Sequence, residues 1–124
     1  MALLQCEIRS EALRMDTTLV VVLPYDKTKA APKAVLYLLH GRSLNALSWS
    51  RCTNVELFAE KHNIALVMPQ AGRSFFTDMC FGPDYFSYVT EELPLLCAKM
   101  FHLDTSPEKS YVAGISMGGY GTLK

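Results

Sequence analysis

The stretch YVAGISMGGYG, from Tyr111 to Gly121, carries the strongest structural signal in this 124-residue sequence. Its first residues are apolar and favour a strand, and the small residues after Ser116 favour the start of a closely packed helix. Between them lies a glycine-x-serine-x-glycine core, so the stretch predicts a serine on a sharp strand-to-helix turn. Glycine and serine are common residues, and the motif therefore gains its meaning from the predicted strand before it and the predicted helix after it.

The chemistry of such a turn explains the spacing of its glycines. A serine placed there adopts strained backbone angles, and Gly114 and Gly118 leave room where a β-carbon would collide with the neighbouring strand or helix. The free N–H groups in the first turn of the helix point toward the serine hydroxyl. We therefore interpret Ser116 as a candidate nucleophile and the Met117 amide as a donor that can stabilise an oxyanion.

The rest of the chain alternates predicted strands and helices. Two aliphatic and β-branched segments predict an antiparallel strand pair at a sheet edge, LLQCEIRS (3–10) and TTLVVVLP (17–24). Two nearly continuous apolar runs are typical of strands buried on both faces of a parallel sheet, AVLYLLH (34–40) and IALVMP (64–69). The spacing of apolar residues predicts helices over 49–63 and 84–102, with Asp84 in the first turn of the second helix and a kink at Pro94. This order predicts an α/β fold with a mostly parallel sheet.

Composition and charge exclude several classes of function. Twelve basic residues balance twelve acidic ones without a basic cluster, so we expect no nucleic-acid partner, and no apolar run approaches the roughly 18 residues of a membrane helix. The four cysteines are irregularly spaced and match no zinc pattern, which predicts free thiols rather than a metal site. The first ten residues lack the apolar core of a secretory signal, so we expect a reducing, cytoplasmic location.

A second oxyanion donor is expected in the loop after the third predicted strand. That loop begins LLHGR, where Gly41 permits a close turn and the Arg42 amide is the candidate donor. Taken by itself, a histidine-glycine pair at a strand end fits an ordinary turn equally well, and only the serine motif downstream favours the oxyanion interpretation.

Four segments together resemble the esterase D-like serine esterases, which include S-formylglutathione hydrolases and bacterial tributyrin or acetyl esterases: YLLHGRSLNALSW (37–49), TNVELFAEKHNIALVMP (53–69), FFTDMCFGPDYFSYVTEELP (75–94) and YVAGISMGGYGTLK (111–124). The tributyrin and acetyl esterase branch is the more similar. The resemblance implies an α/β-hydrolase fold, of which residues 1–124 form the N-terminal half of a single domain, truncated after the nucleophile elbow. It also implies a cofactor-independent serine carboxylesterase with Ser116 as nucleophile and the Arg42 and Met117 amides in the oxyanion hole. Members commonly have a glycine at the position of Leu44, where a positive φ would be costly for leucine.

Ser116 also needs a base and an acid that orients the base. In α/β hydrolases both follow the serine in the chain, and nothing in residues 117–124 can supply them. His62 and His102 end helices that run away from the serine. His40 ends its strand on the correct side, but we expect it to fix the oxyanion loop, and we expect Asp78 to line the pocket wall.

The sequence thus favours a serine esterase acting on short acyl esters or thioesters, with S-formylglutathione as an alternative substrate. The other hypothesis is a catalytically inactive truncated form with a binding role or no independent role. The apolar strand before Ser116 would lie exposed at a sheet edge, so we also expect poor solubility or a homo-oligomer.

Overall fold

A mixed β-sheet forms the centre of the computed structural model, which describes residues 1–25 and 31–124. In this part of the chain five strands join in the order β1-β2-β4-β3-β5. Their bounds are β1 (Ala2–Ser10), β2 (Met15–Leu23), β3 (Ala34–Leu39), β4 (Ile64–Pro69) and β5 (Ser110–Gly114). The strands predicted from apolar runs are therefore confirmed, as is the α/β class.

Strand direction determines which residues meet at one edge of the sheet. β1 and β2 pair antiparallel, and β2 pairs antiparallel with β4. β3 is parallel to both of its neighbours, with Tyr37 opposite Val67 in β4 and Leu39 opposite Gly114 in β5. The carboxyl ends of β3, β4 and β5 consequently lie at the same edge, where ligand sites form in sheets of this kind.

Two layers of helices cover the faces of the sheet. Their bounds are α1 (Ser48–Cys52), α2 (Val55–His62), α3 (Tyr85–Ser87), a π-helical turn (Tyr88–Glu92), α4 (Leu93–Phe101), a 3-10 turn (Pro107–Lys109) and α5 (Met117–Leu123). Side chains of α1 and α2 pack over one face with Val20, Leu38 and Leu66. On the other face Leu93, Cys97 and Met117 contribute to a larger core with β-strand residues.

The first predicted helix, over 49–63, is in fact two helices. α1 ends at Cys52, and Thr53 is extended, with φ −140° and ψ 171°. The Thr53 hydroxyl donates to the Trp49 carbonyl, 2.5 Å away, and accepts from the Val55 amide at 3.2 Å. Thr53 therefore replaces the helical hydrogen bonds of this stretch with side-chain bonds, which apolar spacing alone does not reveal.

The second predicted helix is nearly continuous, but its irregular turn precedes Pro94 rather than forming a kink at that residue. The Leu93 amide donates to the carbonyl of Tyr88, five residues earlier, as in a π-helix. A proline ring collides with the carbonyl four residues before it, here that of Thr90. The wider turn moves this carbonyl aside, so the chain stays helical on both sides of the proline.

The predicted position of Asp84 in the first helical turn is wrong by one residue. Asp84 lies just before α3 and makes no capping bond with its side chain. Asp78 caps the helix instead, because its carboxylate accepts the Ser87 amide at 2.9 Å and the Ser87 hydroxyl at 2.6 Å.

Glu92, in the π-helical turn, fastens the connection between β1 and β2. Its carboxylate accepts hydrogen bonds from the Ser10 hydroxyl at 2.8 Å and from the amides of Glu11 at 2.9 Å and Ala12 at 3.0 Å. Ser10 is fully buried and its hydroxyl also accepts the Leu13 amide at 3.0 Å. A single carboxylate thus joins the N-terminal hairpin to the helical layer.

β5 forms one edge of the sheet in the described part of the chain. Its side chains Tyr111 and Val112 are 59% and 47% exposed, and Ile115 directly after it is 53% exposed. The strand before the serine therefore leaves apolar surface in contact with solvent.

Candidate active site

The backbone of Ser116 has the strained geometry expected of a serine held on a tight turn. Ser116 has φ 56° and ψ −115°, a combination that residues other than glycine rarely adopt. β5 ends two residues before it and α5 begins at the next residue. The turn is closed by the Gly118 amide, which donates to the Ile115 carbonyl at 2.9 Å. The Ser116 side chain is consequently lifted from the sheet into solvent.

Gly114 and Gly118 permit this turn because the strand and the helix touch through their backbones. A β-carbon on Gly114 would lie 2.3 Å from the Gly118 carbonyl carbon and oxygen. One on Gly118 would lie 2.1 Å from the Leu39 carbonyl oxygen in β3. Both distances are far inside van der Waals contact, so the two positions accept only glycine without movement of the backbone.

The loop after β3 lies directly against the serine. A β-carbon built on Gly41 would be 3.6 Å from the Ser116 β-carbon. The Leu44 amide donates to the Gly41 carbonyl at 3.1 Å, and this hydrogen bond closes a turn. The Arg42 amide lies within the turn but takes no part in that hydrogen bond. Leu44 does not adopt a positive φ, so leucine fits this loop without backbone strain.

The Met117 amide is the first of α5 and has no acceptor within the helix. Its side chain is buried in the core, which fixes the start of the helix. The Tyr120 amide donates to the Ser116 carbonyl at 3.0 Å, so helical bonding begins at the serine itself. Ser116, Met117 and the turn at Gly41 thus lie together at the carboxyl ends of β3 and β5.

His40 uses both ring nitrogens to hold loops together. Its Nε2 accepts the Ala71 amide at 2.9 Å, so Nδ1 carries the proton and donates to the Gly41 carbonyl at 2.7 Å. Burial lowers the pKa of His40, because the charged ring is poorly solvated, although the bond to Gly41 acts in the opposite direction. Because each ring nitrogen of the neutral imidazole already takes part in a hydrogen bond, the ring has no free nitrogen to accept a proton from Ser116. These hydrogen bonds suit the structural role expected of His40.

The other two histidines lie at the opposite end of the parallel strands from Ser116, near the residues where these strands begin. His62 ends α2, and Asn63 beside it accepts the Lys33 amide at 3.0 Å at the start of β3. His102 follows α4 and lines a hollow with Ala2 and Leu23. A six-residue strand separates the two ends by about 16 Å. All three histidines are in the described ranges, and the geometry offers none of them to Ser116.

The Asp78 carboxylate is held by hydrogen bonds at the start of the helix that it caps. Hydrogen bonds from the Ser87 hydroxyl and amide lower the pKa of the Asp78 carboxyl, because they stabilise its charged form. The residue is exposed and lies on the loop between β4 and α3. It therefore shapes this loop and is not positioned to orient a histidine beside Ser116.

Sequence reasoning missed three side chains and one backbone amide that fix the loops after β3 and β4. Gln70 Oε1 accepts the Ala46 amide at 2.8 Å, and the Trp49 indole donates to the Leu39 carbonyl at 3.2 Å. Asn45 Oδ1 accepts the Leu47 amide at 2.9 Å, and Ala71 reaches His40 through its backbone. The available signal was positional, since Gln70 and Ala71 directly follow a parallel strand and so emerge at the same edge as His40.

A strained serine on a strand-to-helix turn, at the carboxyl edge of a mixed sheet with helices on both faces, defines the α/β-hydrolase class. Residues 10–124 match the Esterase family model, described as "Putative esterase", and the chain belongs to this family. The fold class and the resemblance inferred from the sequence are both confirmed.

The similar proteins of known class are esterases and other serine hydrolases. The chain is 32% identical to an acetyl esterase of Caldicellulosiruptor saccharolyticus, over all of this chain and 50% of that protein. It superposes with a TM-score of 0.90 on the fluorophosphonate-binding serine hydrolase F (FphF) of Staphylococcus aureus, at 32% identity, over 98% of this chain and 50% of the other. The S-formylglutathione hydrolase FrmB of the same organism gives a TM-score of 0.86, also at 32% identity and with the same coverage. The chain thus spans about half the length of these relatives.

Two further findings concern possible metal ligands and membrane-spanning helices. Among the residues that the structure describes, no three His, Cys, Asp or Glu side chains converge into a group that would hold a metal ion. Within the same ranges no helix has the length and apolar character to cross a bilayer.

Proposed function

We propose that Ser116 is the nucleophile of a serine carboxylesterase that hydrolyses short-chain acyl esters or thioesters. The serine hydroxyl attacks the substrate carbonyl, the alcohol or thiol leaves, and water then releases the acid from the acyl-enzyme. The amides of Arg42 and Met117 donate to the oxyanion that forms in each step. The observation that carries the proposal is the strained backbone of Ser116, at φ 56°, directly before the first amide of α5 and against the loop at Gly41.

Strain of this kind is costly and persists only where the surrounding structure enforces it. Here the contact between Gly114 and Gly118 enforces it, and Gly41 brings the second loop within reach of the serine. Packing of the hydrophobic core would require neither the strained backbone of Ser116 nor the close approach of the Gly41 loop. The similar acetyl esterase and serine hydrolase support ester chemistry for the same arrangement.

We further propose that residues 1–124 form the N-terminal half of one α/β-hydrolase domain, and that the acid and histidine of the triad come from outside these residues. His40 is held by Gly41 and Ala71, and Asp78 by Ser87, so neither is free to complete a triad. The substrate is a small ester, and we expect no nucleic-acid or membrane partner and a cytoplasmic location.

A second candidate is a catalytically inactive form of the fold, with a binding role or no independent role. The engaged nitrogens of His40 favour it for this chain by itself, because Ser116 then has no base. S-formylglutathione is an alternative substrate, which the similarity to the S-formylglutathione hydrolase supports.

Labelling with a fluorophosphonate in the presence and absence of imidazole separates these candidates. Free imidazole supplies the missing base, so we expect an adduct on Ser116, located by peptide mass spectrometry, that forms faster as imidazole concentration rises. Ser116→Ala abolishes this adduct, whereas Ser50→Ala on α1 retains it. Adducts on another residue, or equal imidazole acceleration in Ser116→Ala, contradict the nucleophile assignment. Rapid labelling of Ser116 without imidazole would show that a base exists within these residues.

The exposed β5 edge leads to a separate proposal about assembly. In the described part of the chain β5 has a neighbouring strand on one side only, and this open edge and the exposed Tyr111, Val112 and Ile115 favour pairing with a second copy. Sedimentation velocity should detect dimers or larger species at micromolar concentration. A monomeric profile together with a sharp cooperative melt would contradict this expectation.

A further inference from the structure

One face of α5 carries a row of side chains that continues from the serine. Ser116, Tyr120 and Lys124 are spaced four residues apart and therefore lie above one another on the helix. Lys124 Nζ donates to the Thr77 hydroxyl at 2.6 Å and lies 5.5 Å from the centre of the Phe86 ring. This face is thus turned toward the loop between β4 and α3.

Phe75, from that loop, meets Tyr120 next to the serine. The two rings are 5.9 Å apart with an interplanar angle of 76°, an edge-to-face contact. Helical side chains lean toward the N-terminus of their helix, so Tyr120 covers the surface over the turn that begins at Ser116. Phe75 and Tyr120 remain 43% and 54% exposed. Together they form an apolar, solvent-facing wall one helical turn from the candidate nucleophile.

The loop holds Phe75 in a fixed and strained conformation. Phe75 has φ 53° and the next residue, Phe76, has φ 54°, which is unusual for two consecutive bulky residues. Phe76 is buried against α5, where a β-carbon on Gly121 would come within 2.6 Å of its ring. The Phe76 amide also donates to the Ser74 hydroxyl at 3.1 Å. Burial of Phe76 explains its own position, but core packing does not explain why an exposed aromatic ring is held beside it.

We propose that Phe75 and Tyr120 form a substrate-binding wall that contacts the hydrocarbon part of the ester and sets a preference for longer apolar groups over a methyl group. This inference rests on the proposed function, since it places the wall beside the reacting serine. Each methylene that the wall removes from water strengthens binding about 4-fold. An ester with a chain of about four to six carbons therefore binds better than its shortest homologue.

Binding of straight-chain 2-ketones to the 124-residue chain tests the wall without requiring turnover. These probes keep the carbonyl of an ester but have no leaving group, and amide NMR shifts near Ser116 and Tyr120 report their dissociation constants. From 2-butanone to 2-hexanone we expect the dissociation constant to fall about 15-fold, two methylenes at the factor above. Phe75→Ala and Tyr120→Ser should each reduce this ratio below about 5.

Phe81→Ala is the matched control, because Phe81 lies on the same loop and is fully exposed at 101%. It should keep the wild-type ratio. Equal ratios in Phe75→Ala and Phe81→Ala, or no dependence on chain length in the wild type, would overturn the wall and leave the esterase proposal standing. A ratio that depends on Phe75 without any Ser116 adduct would instead uphold the wall and refute the nucleophile. The NMR spectrum of each variant shows directly whether it is folded.

Discussion

Replacing Gly118 with alanine tests the contact on which the serine turn depends. The new β-carbon would lie 2.1 Å from the Leu39 carbonyl oxygen, 2.6 Å from its carbon and 2.9 Å from the His40 carbonyl oxygen. Ordinary carbon-oxygen contacts are about 3.3 Å, so α5 would have to retreat from β3 by roughly 1 Å. All three obstacles are backbone atoms, which cannot rotate away as a side chain can.

The expected cost follows from two opposing contributions. Overpacking a close contact costs about 1 to 3 kcal/mol, and more where only backbone can move. Alanine in a helix recovers up to about 1 kcal/mol relative to glycine. The Ile115 amide, which donates to the same Leu39 carbonyl at 3.4 Å, would also lose its acceptor as the elements separate. We therefore expect Gly118→Ala to lower the free energy of unfolding by about 3 kcal/mol.

Gly119→Ala is the matched control in the same helix. Its β-carbon would meet only the Gly114 carbonyl oxygen, at an ordinary 3.6 Å, so the helical preference of alanine should stabilise the protein by about 0.5 kcal/mol. Urea unfolding followed by far-UV circular dichroism measures both variants. A 3 kcal/mol loss moves the midpoint down by about 2 M for a typical denaturant slope, or leaves Gly118→Ala unfolded without urea. If the two variants have midpoints within 0.3 M of each other, the backbone contact does not determine the stability of the turn.

Three other predictions concern polar groups that are buried or partly buried, and they use the same unfolding assay. Burial lowers the pKa of His40 from 6.5, so the unfolded chain binds the proton of this histidine more readily than the folded chain does. The free energy of unfolding should therefore be unaffected by His40 above pH 6.5 and should decrease below it by at most about 1.4 kcal/mol per pH unit. His40→Asn should remove this slope. Glu92→Gln should cost about 2 kcal/mol, because it places an NH₂ donor among three donors, whereas the exposed Glu91→Gln should change stability by less than about 0.5 kcal/mol; equal effects would contradict this role. Tyr88→Phe should be neutral or stabilising by up to about 1 kcal/mol, since the fully buried Tyr88 hydroxyl has no hydrogen-bond partner in the described structure, and a large loss would refute this.

The sequence identified those features that local chemistry determines. β3 and β4 have continuous apolar runs because both of their faces are buried, and these runs predicted the strands to within one residue. The elbow could be predicted because its glycines and serine must follow one another at fixed spacing. The position of His40 at the end of a strand also predicted that it would fix the loop after β3, where its ring donates to the Gly41 carbonyl.

Features that depend on distant contacts could not be predicted in this way. Asp78 caps a helix that begins seven residues later, and Ala71 reaches His40 across 31 residues of chain. The placement of β4 between β2 and β3 likewise depends on contacts between strands that are distant in the sequence. Phe75 was visible only as an aromatic residue in a loop, and its left-handed backbone and its contact with Tyr120 are known from the structure.

The contact of Gly114 and Gly118 with each other and with Leu39 has a consequence for how the family's sequences can diverge. Most helices are positioned by interlocking side chains, so each substitution in a core shifts them slightly. The first turn of α5 instead rests on main-chain atoms that every sequence shares. Core residues on both faces of the sheet can therefore change over evolutionary time while the direction of the Met117 amide and the height of the Ser116 hydroxyl remain the same.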